Sequence, residues 1–193
     1  WMLSNTGTSR ALNDVVWVGD KVFVAVGHGG LVLRTEDGGV SWAIKPTQSG
    51  RTLTAVARLK GRLVAVGYRG VMLESLDGGV SWRPWESGPK AVGAGHLTAI
   101  EVSTDGTVVV GGLGVLMVRR PGESLWEPVT GAEQIKEVRR LVLGPEGRVL
   151  VVSATGRLWG RLESGGAATL LSWPGPDGSV AYWQDVLVRR WAP

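Results

Sequence analysis

The chain contains no cysteine, one phenylalanine, two tyrosines and two histidines in 193 residues. Without cysteine there is no disulfide, no thiolate metal site and no cysteine nucleophile, and thiol usage says nothing about redox compartment. His28 and His96 stand apart from any His, Cys or carboxylate at a metal-ligand spacing, so neither a metal nor a cofactor is expected. No apolar run approaches the roughly 20 residues of a membrane-spanning helix, and no signal peptide is recognisable. The net charge of +4 is scattered, with Arg119-Arg120, Arg139-Arg140 and Arg189-Arg190 as the basic pairs, a pattern too dispersed to suggest nucleic acid as a partner. Gly27-His28-Gly29-Gly30 has no helix after it to supply an anion-binding terminus, which makes it a turn rather than a phosphate loop.

What is abundant is glycine, 30 residues, and tryptophan, 10 residues. An octapeptide, Ser/Thr-x-Asp-Gly-Gly-Val-Ser-Trp, occurs as Thr35 to Trp42 and again as Ser75 to Trp82, a spacing of 40 residues. Upstream, Val26-Gly27-x-x-Gly30-Leu31-Val32-Leu33 matches Val66-Gly67-x-x-Gly70-Val71-Met72-Leu73 at the same offset. A third copy runs from Leu97 through Gly114 to Trp126 with its turn altered to Arg119-Arg120-Pro121-Gly122-Glu123, and a fourth covers Val138 to Leu162 without the octapeptide. A period near 40 residues, short β-branched runs and no helical patterning predict an all-β chain of four-stranded propeller blades. In the second blade, strands are expected near Thr54 to Leu59, Leu63 to Gly67, Val71 to Ser75 and Ser81 to Trp85.

Trp1 to Val15 aligns with Trp42 to Val56 at an offset of 41, so the chain opens on the tryptophan that closes a blade. Near the other end, Pro176-Asp177-Gly178-Ser179-Val180 resembles Thr104-Asp105-Gly106-Thr107-Val108, and Asp185 to Arg190 resembles Gly114 to Arg119. The expectation is one domain over residues 1–193 with about five blades, at 12–42, 53–85, 97–129, 138–166 and 168–193. Trp1 to Leu3 would add the outer strand of the last blade and close the ring, leaving no open edge there.

In the octapeptide, Asp37 and Asp77 can accept backbone N–H groups of a tight turn, while Gly38-Gly39 and Gly78-Gly79 permit positive φ. Trp42 and Trp82 can then pack between blades, as can Trp1 and Trp126. These residues resemble the Asp-box, or BNR, repeat, and the longer pattern is similar to the variant in Ycf48-like propellers. That resemblance implies a β-propeller whose members include sialidases, other glycoside hydrolases, sorting receptors and an assembly factor of photosystem II. It also implies that Asp37, Gly38, Gly39, Trp42, Asp77, Gly78, Gly79 and Trp82 are structural, on hairpins away from the functional face. A periplasmic or secreted location is likewise implied only by the family.

A sialidase-like mechanism needs a Tyr nucleophile, an acid-base carboxylate and an arginine cluster. Only Tyr68 and Tyr182 could serve as nucleophile, and the Phe-Arg-Ile-Pro motif that opens sialidase domains is missing. No enzyme activity is expected. What remains is a binding face on the rim that carries the turns between second and third strands and the connections between blades: His28, Arg51, Tyr68, Arg69, Lys90, His96, Leu113, Lys136 and Gln184. Tyr68 and Arg69 are the leading contact residues, because a Tyr-Arg pair is hot-spot chemistry and occupies the repeat position of His28-Gly29 and Gly112-Leu113. The expected role is a non-catalytic module that binds or assembles a protein partner, as a monomer or within a larger assembly. The alternative is a lectin, since six tryptophans (Trp17, Trp85, Trp159, Trp173, Trp183, Trp191) fall outside the repeat position and could stack on sugar rings.

Overall fold

The computed structural model of the chain describes residues 3–89, 95–129, 135–144, 149–155, 158–161 and 169–171. Among them, sixteen strands form four antiparallel sheets of four. The first sheet is β1 (Leu12–Gly19), β2 (Val22–Gly27), β3 (Val32–Thr35) and β4 (Ala43–Lys45). The second is β5 (Leu53–Leu59), β6 (Arg62–Gly67), β7 (Met72–Ser75) and β8 (Arg83–Pro84), and the third is β9 (Leu97–Val102), β10 (Val108–Gly112), β11 (Val115–Arg119) and β12 (Glu127–Pro128). The fourth is β13 (Val138–Leu143), β14 (Val149–Ser153), β15 (Leu158–Arg161) and β16 (Thr169–Leu171). Each sheet is a simple meander, and the innermost strands β1, β5, β9 and β13 lie side by side in sequence order. This is a β-propeller.

Both faces of an inner blade are apolar because each is buried against a neighbour. Val24, Val26 and Val32 of the first sheet pack on Val56, Leu63, Ala65 and Leu73 of the second. The other face of the second sheet, with Ala55, Val64 and Val66, meets Ile100, Val108 and Val110 of the third. Val109, Leu116 and Val118 continue the stack into Val138, Leu141 and Val151 of the fourth.

A polar clasp recurs at each of these joints. Asn13, Thr54 and Thr98 fall at register shifts in their inner strands, where one extra residue leaves the ladder. Freed from pairing, each side chain donates to the first carbonyl of the next inner strand: Asn13 Nδ2 to Leu53 O at 2.6 Å, Thr54 Oγ1 to Leu97 O at 2.8 Å, and Thr98 Oγ1 to Val138 O.

Four sequence expectations change. The outer strand of the second sheet is Arg83–Pro84 rather than Ser81 to Trp85, because the Ser81 N–H is taken by Asp77 instead of a ladder partner. Thr169–Leu171 pairs with β15, which moves these residues from the start of a fifth blade into the fourth sheet. In the third sheet the turn after the second strand is one residue shorter. Gly112 pairs with Val115, so Leu113-Gly114 is the equivalent of Tyr68-Arg69, not Gly112-Leu113. Trp85, set aside as an extra tryptophan, is core: it is buried among Val64, Ile100 and Met117. The expected closing strand at Trp1 to Leu3 and the rest of the fifth blade lie outside the described residues, apart from Leu3, which is exposed.

Candidate functional site

The rim between second and third strands follows one hydrogen-bonding plan in the first three sheets, although the third turn is a residue shorter. The first turn residue donates its N–H to the loop entering its own blade: His28 to Ala11 O at 3.0 Å, Tyr68 to Thr52 O at 2.9 Å, Leu113 to His96 O at 2.8 Å. The following residue donates to the loop entering the next blade. Gly29 N reaches Thr52 Oγ1 at 3.4 Å, Arg69 N reaches His96 Nδ1 at 3.4 Å, and Gly114 N reaches Lys136 O at 2.7 Å. Turn and inter-blade loop therefore share one edge of the molecule, fixed by backbone donors rather than by the identity of the exposed side chains.

On that scaffold the second blade carries a compact cluster. The Tyr68 ring meets His96 edge to face, with centroids 4.7 Å apart and planes at 71°. Arg51 donates from its guanidinium to Arg69 O at 3.1 Å. Arg51, Tyr68 and Arg69 are exposed, and His96 is half-buried beneath them. His28, Leu113 and Lys136 are exposed on the flanking blades, while Lys90 and Gln184 lie outside the described residues.

Arg69 stands in a conformation its neighbours reserve for glycine. Its φ is +55°, where Gly29 has +64° and Gly114 +66°. A side chain in the left-handed region costs about 1 kcal/mol, so the scaffold alone would favour glycine here. A strained residue at an exposed turn is a reason to look for function at that residue.

The opposite edge is occupied by the octapeptide turns. Asp37 accepts from the Ser41 N–H at 2.9 Å, the Ser41 hydroxyl at 2.6 Å and the Thr35 hydroxyl at 2.7 Å. Asp77 does the same with the Ser81 N–H at 2.9 Å, the Val80 N–H at 3.1 Å and the Ser75 hydroxyl at 2.7 Å. The Ser41 hydroxyl, then its N–H, hold the Asp37 carboxyl far below the usual carboxylate range. At Asp77 burial pushes the other way, yet the Ser81 and Ser75 donors bring it down to about 2. Neither carboxylate is left with the raised proton affinity that a general acid needs.

The two turns differ in what surrounds them. The Asp77 turn is wedged against the first blade, with Arg34 Nε donating to Gly78 O at 2.9 Å and Val24 packed on Gly79. Asp77→Ala is therefore expected to cost about 1–2 kcal/mol in urea unfolding, and Asp37→Ala less, since removing either carboxylate strands turn N–H groups but only one turn is a joint between blades. Equal losses would show that the wedge contributes nothing.

The third blade replaces this lock. Arg119 sits where the first two blades have Thr35 and Ser75, and its guanidinium lies 5.1 Å from the Trp126 ring and 5.6 Å from Trp85. Arg119 and Trp126 both donate to Ser87 O, at 3.3 and 2.8 Å. Trp126 thus closes its blade through a cation–π stack in place of an aspartate turn.

No family model and no curated protein matches the chain. Solved structures do. Ycf48 from Cyanidioschyzon merolae aligns with a TM-score of 0.69 at 18% identity over 86% of this chain and 57% of that one. A structure of Ycf48 bound to D1 peptide gives 0.60 at 22% identity over 84% and 54%. A GH74 enzyme of Niastella koreensis gives 0.61 at 15% identity over 82% and 30%. The chain spans about half the length of the Ycf48 structures it matches. At these identities the likeness is of fold, and the fold serves binding proteins and an enzyme alike.

Two further groups were not foreseen from sequence. Asp14 of β1 accepts the Val56 N–H of β5 at 2.8 Å and the Val15 N–H at 2.9 Å, and burial raises its proton affinity. Glu101 of β9 is pushed up to about 7, first by burial and then by the negative charge of Asp14, with Arg140 of β13 pulling it down. Inner strands from three blades thus gather two carboxylates and a guanidinium. Among the described residues no group of three or more His, Cys, Asp or Glu could hold a metal ion.

Proposed function

We propose that the chain is a non-catalytic propeller module that binds a protein segment through the rim bearing Arg51, Tyr68, Arg69 and His96. The observation that carries the reading is Arg69: a cationic side chain kept at φ +55°, in a position its two repeat equivalents give to glycine, beside an exposed tyrosine already braced on His96. A tyrosine braced on His96 and an Arg51 guanidinium held on Arg69 O have less side-chain freedom left to lose, which favours them as contact residues beside Arg69. Ycf48, similar in fold, has been captured with a D1 peptide, which agrees with a peptide as the class of ligand. The repeat itself resembles the Asp-box pattern of Ycf48-like propellers, and in that reading Asp37, Asp77, Trp42 and Trp82 hold blades and contact no ligand.

The lectin alternative has less support. Of the six tryptophans outside the repeat position, Trp85 is core and Trp17 is exposed, while the side chains of the other four lie outside the described residues. A sialidase-like role fares no better, because the aromatic partner of Tyr68 is His96, and the Asp37 and Asp77 carboxylates are engaged in their own turns.

Arg69→Gly separates function from folding. It relieves the left-handed strain, so stability should be unchanged or rise by up to about 1 kcal/mol. Binding of peptides selected from a displayed random library should fall at least tenfold in Arg69→Gly and in Tyr68→Ala. Selected peptides that bind both variants like the wild type, or a glycan array that responds where the library does not, would overturn the proposal.

A further inference from the structure

The outer strands of the first three sheets pair in one register: Leu33 with Ile44, Leu73 with Pro84, and Met117 with Pro128. One residue further, Trp85 N donates to Met72 O and Val129 N to Leu116 O, each at 3.0 Å, and Lys45 pairs with Val32 at the same place. Hydrogen-bonded pairs alternate with unbonded ones in an antiparallel ladder, so Ile44, Pro84 and Pro128 turn their backbone groups away from the sheet. In the second and third sheets the outward nitrogen belongs to proline and has no hydrogen to offer. Proline at such a point guards a sheet against edge-to-edge pairing. The first sheet lacks this guard: Ile44 presents both an N–H and a C=O at the edge, and it is 60% exposed. Pro46, exposed as well, ends the open stretch two residues later.

We propose that the β4 edge is an association site for a second copy of this chain, antiparallel across a two-fold axis, so that Ile44 of each copy donates its N–H to the Ile44 C=O of the other. Such a contact is isologous and closed, because making it uses up the edge. The narrowness of the edge selects the occupant. A free peptide would have to fix several residues in extended form to gain two hydrogen bonds, whereas a second copy brings a strand that its own sheet already holds. The two-fold register also sets Ile44 beside Ile44 on one face and Ala43 opposite Lys45 on the other. Apolar surface then meets its like, and the two lysines are not opposed.

Leu170 holds the corresponding position in the fourth sheet, since it pairs with Trp159 as Ile44 pairs with Leu33. A variant at Ile44 is therefore needed to tell the two edges apart.

The chain has no cysteine, so a single introduced thiol reports the contact. In a hydrogen-bonded antiparallel pair the Cα atoms lie about 5.5 Å apart, inside the range of about 4.4–6.8 Å that a disulfide spans. Under diamide oxidation the 193-residue Ile44→Cys chain should give a disulfide-linked dimer at least tenfold faster than Val40→Cys, although Val40 is the more exposed at 80%. Ile44→Pro installs the guard of the second and third blades and should leave circular dichroism unchanged. In sedimentation the wild type should pass from 20.5 kDa to twice that mass as concentration rises, and Ile44→Pro should need at least tenfold more protein for the same dimer fraction. A wild-type chain that stays at 20.5 kDa at every concentration overturns the proposal, as does equal crosslinking at the two thiols. A dimer indifferent to Ile44→Pro, as pairing through Leu170 would give, overturns it too.

Discussion

Gly67→Ala and Gly112→Ala are expected to cost at least about 3 kcal/mol each, enough to leave much of the chain unfolded under mild conditions. Both glycines end the second strand of a blade, where the loop entering the same blade crosses directly over the backbone. A methyl group at Gly67 would lie 2.1 Å from Thr52 O, and one at Gly112 would lie 1.9 Å from His96 O. Both obstacles are backbone. The same carbonyls accept the N–H groups of Tyr68 and Leu113, so the loop cannot withdraw without losing the bonds that build the rim. Conformational preference plays no part at Gly67, whose φ of −176° is ordinary extended backbone. Gly61→Ala is the contrasting case. Its φ is +78° but nothing lies within 4 Å of the added methyl, so only the left-handed penalty of about 1 kcal/mol should be measured. Equal losses in urea denaturation at Gly61 and Gly67 would refute the account of the rim as a close backbone crossing.

The second large effect is a pH dependence of stability that runs against the usual acid loss. Glu101 has an ordinary value of 4.5 and is raised to about 7 in the folded chain. Between those values the folded state holds a proton that the unfolded state has released, so stability falls as pH rises through this window and is fully present only below it. The span corresponds to an upper limit of about 3 kcal/mol. Glu101→Gln removes the titration while keeping the shape. It should therefore flatten the decline between about pH 5 and about pH 8 and be more stable than wild type by about 1–3 kcal/mol at the alkaline end. Asp14, raised in the same direction, contributes a smaller slope at lower pH, whereas Asp37, Asp77 and Asp105, all depressed, lose their contributions only on strong acidification. Parallel pH profiles for wild type and Glu101→Gln would rule out the half-buried carboxylate pair as the cause.

These two effects differ in how visible they are in the sequence. The glycines belong to the repeat Val-Gly-x-x-Gly, and the period alone marks them as backbone-critical. Even so, the third copy misleads by one residue: Gly111 and Gly112 are adjacent, and only the Gly112–Val115 pairing shows which one meets the crossing loop. The Asp77 turn was legible to its hydrogen bonds, because Ser, Asp and Gly at fixed short spacing can satisfy each other locally. The Asp14, Glu101 and Arg140 group was not. Its members come from three inner strands, and Asp14 and Arg140 each follow a register shift that no pattern of alternating residues announces. Trp85 escaped for a related reason, since its partners Trp126 and Arg119 belong to the next blade. Arg69 lies between these cases. The repeat alignment finds the turn, but the left-handed backbone that makes an arginine there notable comes from the structure.

The clasp formed by Asn13, Thr54 and Thr98 has a consequence for how such a chain can grow. The second and third blades each carry a donor at one point of the inner strand and offer their own first carbonyl as the acceptor for the blade before. A duplicated blade therefore arrives with both halves of the fastening, and neither neighbour has to change. Lengthening by copying is the mutation this architecture absorbs most easily, while loss of a single strand leaves a donor and an acceptor facing nothing.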